Sequence, residues 1–298
     1  MSELAVSEPV IRIEKLRKAY GENEVLHGVD MEVPAGAIVG LIGTNGSGKS
    51  TLIKCLLGLL RATSGKMQIF GEDVWDLSAE AKSRLCYVPQ EVRVYPWMRV
   101  KHVIDYTAAF YPNWNDDWTK DLVERWELPR DARVSSLSGG QAQKLALVLG
   151  LAYRPELMIL DEPVASLDPV GRREFLRSVL ELTAGDDRTV LFSTHITSDL
   201  ERIASHVAIL REGRIAYFDE LDVLKDQFKR LRIQSGRELP SSFSVAGSLR
   251  TDVQGQTALV AMPHVSEPLI AELESTWDAS VHVEDLNLEE IFVELHDA

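Results

Sequence analysis

Gly43-Thr44-Asn45-Gly46-Ser47-Gly48-Lys49-Ser50 gathers three glycines, a lysine and several hydroxyl and amide side chains into one short stretch. The glycines permit backbone angles and a close approach that a Cβ would block. Successive N–H groups can then face phosphate oxygens, helped by the positive end of a following helix. Lys49 supplies a compact charge suited to β- and γ-phosphates, and the Ser50 hydroxyl is of the kind that ligates Mg²⁺. Thr44, Asn45, Ser47 and Thr51 complete the phosphate-contacting set. Alone, the pattern defines a binder of nucleotide phosphates, because kinases, GTPases and many ATPases share it.

A second constellation follows downstream. Leu157-Met158-Ile159-Leu160 is an apolar run that ends in Asp161-Glu162-Pro163. Asp161 suits the hydration shell of Mg²⁺. Glu162, pointing the other way if strand alternation continues, can polarise an attacking water as general base. The acids alone fit a solvated strand end before a proline turn equally well; the glycine-rich loop upstream favours the catalytic reading.

Leu137-Ser138-Gly139-Gly140-Gln141 stands just before a helical pattern over Ala142 to Leu151. A serine and two glycines at a helix N-terminus make a second anion site, although residues 43–50 already serve the local phosphates. In this order the three patterns resemble the ABC (ATP-binding cassette) ATPase family, over nearly all of residues 10–228. The resemblance implies that Ser138, Gly139, Gly140 and Gln141 meet the γ-phosphate held by another subunit, so that two ATP molecules are sandwiched in a head-to-tail dimer. It also implies roles for single residues. Tyr20 resembles the aromatic that stacks on adenine, with Val25 beside it. Gln90, in Tyr87-Val88-Pro89-Gln90, looks like the loop glutamine that reaches Mg²⁺ and the water. Asp168 looks like the residue that communicates across the dimer, and His195 like the switch histidine on the γ-phosphate. Ala142 and Thr194 depart from residues frequent in the family, but neither departure removes a catalytic atom.

These groups need elements to hold them. Val10 to Ile13 and Val25 to Met31 have the short alternation of strands, and Ala37 to Ile42 reads as a buried strand of a parallel sheet. Ser50 to Leu60 is helical in pattern, as are Asn115 to Arg130 and Gly171 to Leu182. Glu156 to Leu160 and Thr189 to Ser193 read as further buried strands. Strands alternating with helices imply an α/β core. The resemblance sharpens that expectation to a P-loop ABC ATPase fold. Its parts are a RecA-like parallel-sheet core, an N-terminal antiparallel β subdomain and a helical subdomain carrying the signature. Beyond a basic amphipathic stretch at Leu224 to Leu231 come a strand-like Thr257 to Met262 and a short helix around Glu267 to Thr276. The expected division is a catalytic domain at 1–228 and a small, acidic α+β accessory domain at 229–298. No residue of the latter carries recognisable chemistry; a dimer prop, a regulator and a lid all fit.

The formal net charge of −14 argues against a nucleic-acid partner, because phosphate contacts need a basic face. Five Lys/Arg against twelve Asp/Glu in residues 229–298 place about half of that charge there. Cys55 and Cys86, the two cysteines, read as small buried hydrophobes in a reducing cytosol. The N-terminus does not read as a signal peptide. A membrane span needs about 20 consecutive apolar residues, whereas the greasiest run, Leu145 to Leu160, is broken by Gly150 and by Tyr153-Arg154-Pro155-Glu156. Any membrane role therefore comes through a partner.

The function expected is an ATPase subunit that energises export through a separate integral-membrane permease, with ATP and Mg²⁺ as cofactors. It would pair with a second ATP-binding subunit, identical or closely related, and lie on the cytoplasmic face of the membrane through the permease. The tail Glu284 to Leu295 resembles that of ATPases serving bacterial drug, antibiotic and lipid exporters. Phe110 to Trp114, with Trp118 and Trp126, either pack the helical subdomain or meet the partner. A soluble relative acting on ribosomes or DNA is the alternative. One cassette, no coiled-coil insertion and strong acidity weigh against it.

Overall fold

The structure, a computed structural model, describes residues 8–92, 94–184 and 188–297. It forms two compact units, Met1–Phe218 and Asp219–Ala298.

In the first unit, β1 (Ile11–Tyr20) and β2 (Asn23–Val33) form an antiparallel hairpin, and β3 (Ile38–Ile42) leads into α1 (Lys49–Leu56). The strands β4 (Ser64–Ile69) and β5 (Glu72–Asp73) complete a sheet of order β2-β1-β4-β5. Next come α2 (Ala79–Ser83), β6 (Leu85–Val88), α3 (Val100–Ala108), α4 (Asp116–Arg125) and α5 (Gly139–Leu151). The chain then returns through β7 (Leu157–Asp161), α6 (Pro169–Thr183), β8 (Thr189–Ser193), α7 (Thr197–Leu200), β9 (His206–Arg211) and β10 (Arg214–Glu220). The second sheet has the order β10-β9-β3-β8-β7-β6. Its parallel core, antiparallel N-terminal sheet and helical insert match the expected class.

Every residue of β3, β7 and β8 is buried. That explains their continuous apolar runs: parallel strands covered on both faces have no solvent side to alternate with. Leu52, Ile53, Cys55 and Leu56 of α1 share one core with Ile11, Val29 and Met67 of the antiparallel sheet and with Leu157, Ile159 and Leu191 of the parallel sheet. The helix behind the glycine-rich loop is thus gripped from two sheets. Cys55 and Cys86 are buried and not disulfide-bonded, as expected of small hydrophobes, and burial pushes the Cys86 thiol up to about 12.

Glu212 and Gly213 form the β9–β10 turn with φ values of 45° and 69°. Two left-handed residues suit the right-handed twist of a two-residue hairpin. At Gly213 an added Cβ would lie 2.1 Å from the Val25 carbonyl oxygen. The Gly213 carbonyl also accepts from the His27 N–H at 2.9 Å, and its N–H donates to the Ser47 carbonyl at 3.2 Å. Gly213→Ala is therefore expected to destabilise this unit by about 2–4 kcal/mol, through left-handed strain and backbone overlap together. The check is the urea midpoint at unchanged m-value.

In the helical insert, Asn115 caps α4 by accepting from the Trp118 N–H at 2.8 Å, with Asp116 and Asp117 at the favoured positive end. The aromatic residues of the insert divide into buried and exposed groups. Trp126 is 3% exposed, and Tyr111 stacks on Tyr153 with centroids 3.8 Å apart. Phe110 is 63% exposed and belongs to an edge-on ladder with Tyr106 and Tyr95.

The second unit contains α8 (Leu221–Gln227), β11 (Phe228–Ser235), β12 (Arg250–Gln254), β13 (Thr257–Pro263), α9 (Glu267–Trp277), β14 (Ala279–Asp285) and α10 (Leu288–Asp297). Its antiparallel sheet has the order β12-β13-β11-β14 around Leu231, Ile233, Val260 and Leu273. The stretch Leu224 to Leu231 is not one amphipathic element. The helix stops at Gln227, and Phe228 is extended at φ −104° and ψ 125°. Within the stretch, Lys229 meets Asp285 of β14 at 2.8 Å and Arg230 meets Glu290 of α10 at 2.9 Å; just beyond, Arg232 meets Glu284 of β14 at 2.6 Å. Among the described residues, no helix is long and apolar enough to cross a membrane.

Candidate active site

Parallel sheets place ligands beyond the carboxyl ends of their strands. Here three such ends are flush: Leu41 of β3 is in register with Ser193 of β8, and Ser193 with Asp161 of β7. The glycine-rich loop follows β3 directly. Gly48, at φ 108°, is the residue before α1, and a Cβ there would meet Leu26 Cδ2 at 2.9 Å.

A cavity of about 380 Å³ opens at this edge, lined by Val25, Asn45, Gly46, Gly48, Lys49, Ser50, Thr51, Gln90 and Glu162. Lys49 is buried, and its Nζ donates to the carbonyls of Gly43 at 2.7 Å and Thr44 at 3.2 Å. Burial, the largest influence on this ammonium, lowers its pKa, while Glu162 and Asp161 act in the opposite sense. Both carboxylates thus lie within electrostatic reach of Lys49. The Ser47 hydroxyl is buried without a hydrogen-bond partner, which leaves a donor inside the loop.

Asp161 Oδ1 accepts from Ser193 Oγ at 2.7 Å and from Ser50 Oγ at 3.3 Å. Glu162 is 6% exposed, and its Oε2 lies 2.9 Å from His195 Nδ1. The expectation that strand alternation directs Glu162 does not hold. The strand ends at Asp161, and Glu162 takes the left-handed value φ 50°. A backbone reversal, not the pleat, aims this carboxylate. Its N–H donates to both the carbonyl at 3.1 Å and the hydroxyl at 3.0 Å of Ser193. Sequence reading passed over Ser193; the available signal was a hydroxyl closing the otherwise apolar run Val190 to Phe192.

The oxygen donors of Ser50, Asp161 and Gln90 are hard-cation ligands, suited to Mg²⁺ that keeps several waters. Among the described residues no group of three His, Cys, Asp or Glu could hold a metal.

Other expected site residues lie outside this cavity lining. Tyr20 is 51% exposed, with the Lys18 ammonium 4.7 Å from its ring centroid. Ser138 caps α5 in a reciprocal box: its hydroxyl accepts from the Gln141 N–H at 3.2 Å, and Gln141 Oε1 accepts from the Ser138 N–H at 3.0 Å. Ser138 and Gly139 are exposed, and a Cβ at Gly139 would meet nothing within 4 Å. Asp168 caps α6 by accepting from the Gly171 N–H at 2.7 Å, a bond that holds its carboxyl below the usual range.

A phosphate-cradling loop, a buried lysine and two carboxylates at the end of a parallel sheet define a P-loop nucleotide hydrolase. Residues 26–165 match the ABC transporter family. The chain is 35% identical to the aliphatic sulfonates import ATP-binding protein SsuB 3 of Pseudomonas syringae, over 77% of this chain and 81% of that protein. It is 29% identical to the Nod factor export ATP-binding protein I of Cupriavidus metallidurans, over 96% of this chain and 97% of that one. A solved ATP-binding subunit of an ABC transporter superposes with a TM-score of 0.66 at 28% identity, covering 72% of this chain and 92% of that structure. The chain belongs to the ABC transporter ATP-binding family, and it is an ATPase.

Proposed function

We propose that this subunit drives export through a separate membrane permease, by closing a dimer over ATP and reopening it on hydrolysis. The observation that carries the reading is an incomplete site. One cavity gathers the loop around Lys49, Gln90 and Glu162, while the anion-binding end of α5 stays exposed and takes no part in its lining. Two copies meeting head to tail would supply each cavity with the other's Ser138 to Gln141. ATP then favours the closed state because only that state engages the γ-phosphate from both subunits.

Within the site, Lys49 and the loop amides hold the phosphates. Ser50, Asp161 and Gln90 would hold Mg²⁺, which would supply charge neutralisation at the phosphates. Glu162 takes the proton of the attacking water, and His195, beside its carboxylate, is placed to bond the γ-phosphate. Tyr20 offers a flat face to adenine, and Asp168 stands at the dimer-facing turn before α6. Residues 229–298 act as an accessory domain.

Export is favoured over import by extent of likeness. The Nod factor export protein matches almost the whole chain, whereas the sulfonate import protein matches 77% of it. Inside-out vesicles carrying the chain and its co-expressed permease test the direction. With a panel of amphiphilic antibiotics, at least one should accumulate in the lumen, and only with ATP. Accumulation confined to right-side-out vesicles would reverse the assignment.

A further inference from the structure

We propose that Ser193 is a positioning residue that aligns the two carboxylates of the site as one unit, its hydroxyl serving Asp161 and the Glu162 peptide together. The inference rests on the reading of Asp161 as cation ligand and Glu162 as general base.

Ser193 is fully buried at the end of β8, in register with Asp161. A hydroxyl has one hydrogen to give and lone pairs to receive. This one gives its hydrogen to Asp161 Oδ1 at 2.7 Å and receives the Glu162 N–H at 3.0 Å. Both sides of a single peptide link are therefore tied to one oxygen. That link precedes a residue at φ 50°, a conformation that non-glycine residues keep only when their surroundings hold it. The grip on the Glu162 N–H acts on the backbone that aims its carboxylate toward His195 and Lys49. The grip on Asp161 leaves the Ser50 hydroxyl, at 3.3 Å the longer of the two contacts, free to turn to a cation. Without Ser193 Oγ, Asp161 would depend on Ser50 alone and the Glu162 peptide on one carbonyl.

The same geometry makes the idea testable without wrecking the fold. The Glu162 N–H keeps the Ser193 carbonyl at 3.1 Å, so losing the hydroxyl orphans no backbone donor. Ser193→Thr and Ser193→Val provide the cleanest comparison, because they share a shape and differ in the hydroxyl; Ser193→Ala controls for bulk. Ser193→Thr is expected to stay within about 3-fold of wild-type kcat, while Ser193→Val and Ser193→Ala lose about 10- to 100-fold in kcat at saturating ATP and Mg²⁺. A fluorescent ATP analogue in EDTA should bind all three variants like the wild type. Adding Mg²⁺ should raise its affinity less in Ser193→Val and Ser193→Ala than in Ser193→Thr. Equal kcat and equal Mg²⁺ response in Ser193→Thr and Ser193→Val would overturn the proposal, as would a parallel loss of metal-free binding. Glu162→Gln, assayed alongside, separates the two levels: normal turnover there would sink the base assignment itself, whereas an inactive Glu162→Gln with Ser193→Val matching Ser193→Thr would sink only the role of Ser193.

Discussion

Replacing Glu162 by glutamine is expected to lower kcat by about 10²- to 10⁴-fold, the range associated with loss of a general base, and to leave an ATP-bound dimer in solution. The substitution preserves shape, and an amide can still pair with His195 across the present 2.9 Å contact. Its peptide remains held by Ser193, so the left-handed backbone survives. What disappears is the acceptor that takes a proton from water. On the proposed mechanism nucleotide binding is retained, because Lys49 and the loop hold the phosphates, and closed dimers accumulate, because reopening follows hydrolysis. Light scattering after gel filtration with ATP and Mg²⁺ reads the dimer, and phosphate release reads the turnover. Hydrolysis at the wild-type rate would show that another group accepts the proton.

The second large effect concerns Gly139. Its exposed position at the start of α5 leaves room for a side chain in the isolated chain, and an acid in a first helical turn is favourable. Gly139→Asp should therefore fold and bind ATP like the wild type. Across a dimer, the new carboxylate would stand where the γ-phosphate must approach, and ATP-driven pairing should vanish, with ATPase activity down about 100-fold or more, as when a preorganised anion site is lost. Lys49→Ala fails for the opposite reason, because it loses the phosphate grip within its own cavity. Mixing the two inactive proteins provides the sharper test. A mixed dimer joins an intact Lys49 loop to an intact signature at one interface and concentrates both defects at the other. Activity that reappears on mixing supports sites shared between subunits; a mixture as inactive as its parts argues that each chain works alone.

The residues proposed for the chemistry stood out in the sequence because that chemistry leaves few choices of residue. Buried parallel strands were legible too: Thr189 to Ser193 is β8 as read, since five buried positions need an unbroken run. Other elements hid for physical reasons. Lys15, at φ 47°, sits where the β1 register shifts, so alternation fades after Ile13. β14 alternates only briefly, through Ala279, Val281 and Val283, before Glu284 and Asp285 pair with basic residues of β11, so its apolar pattern is short. The turn at Phe228 joins a helix to a strand without glycine or proline, so two elements read as one. The direction of Glu162 was hidden most deeply, because a left-handed glutamate has no signature in residue type. Only the neighbouring strand, through Ser193, reveals it.

The flush strand ends and the bend at Gln90 bring groups to the cavity from two different supports. Asp161 ends β7 and Glu162 follows it, while Lys49 opens the helix after the loop that leaves β3, with β8 between the two strands; all three strands are buried along their whole length. Gln90 reaches the same cavity from an exposed bend beyond β6, the outermost strand on that side. A mechanical pull on this subunit would therefore reach the chemistry through that glutamine first. On the proposed mechanism, retracting that one amide would delay hydrolysis while the spacing of the remaining groups stayed as it is.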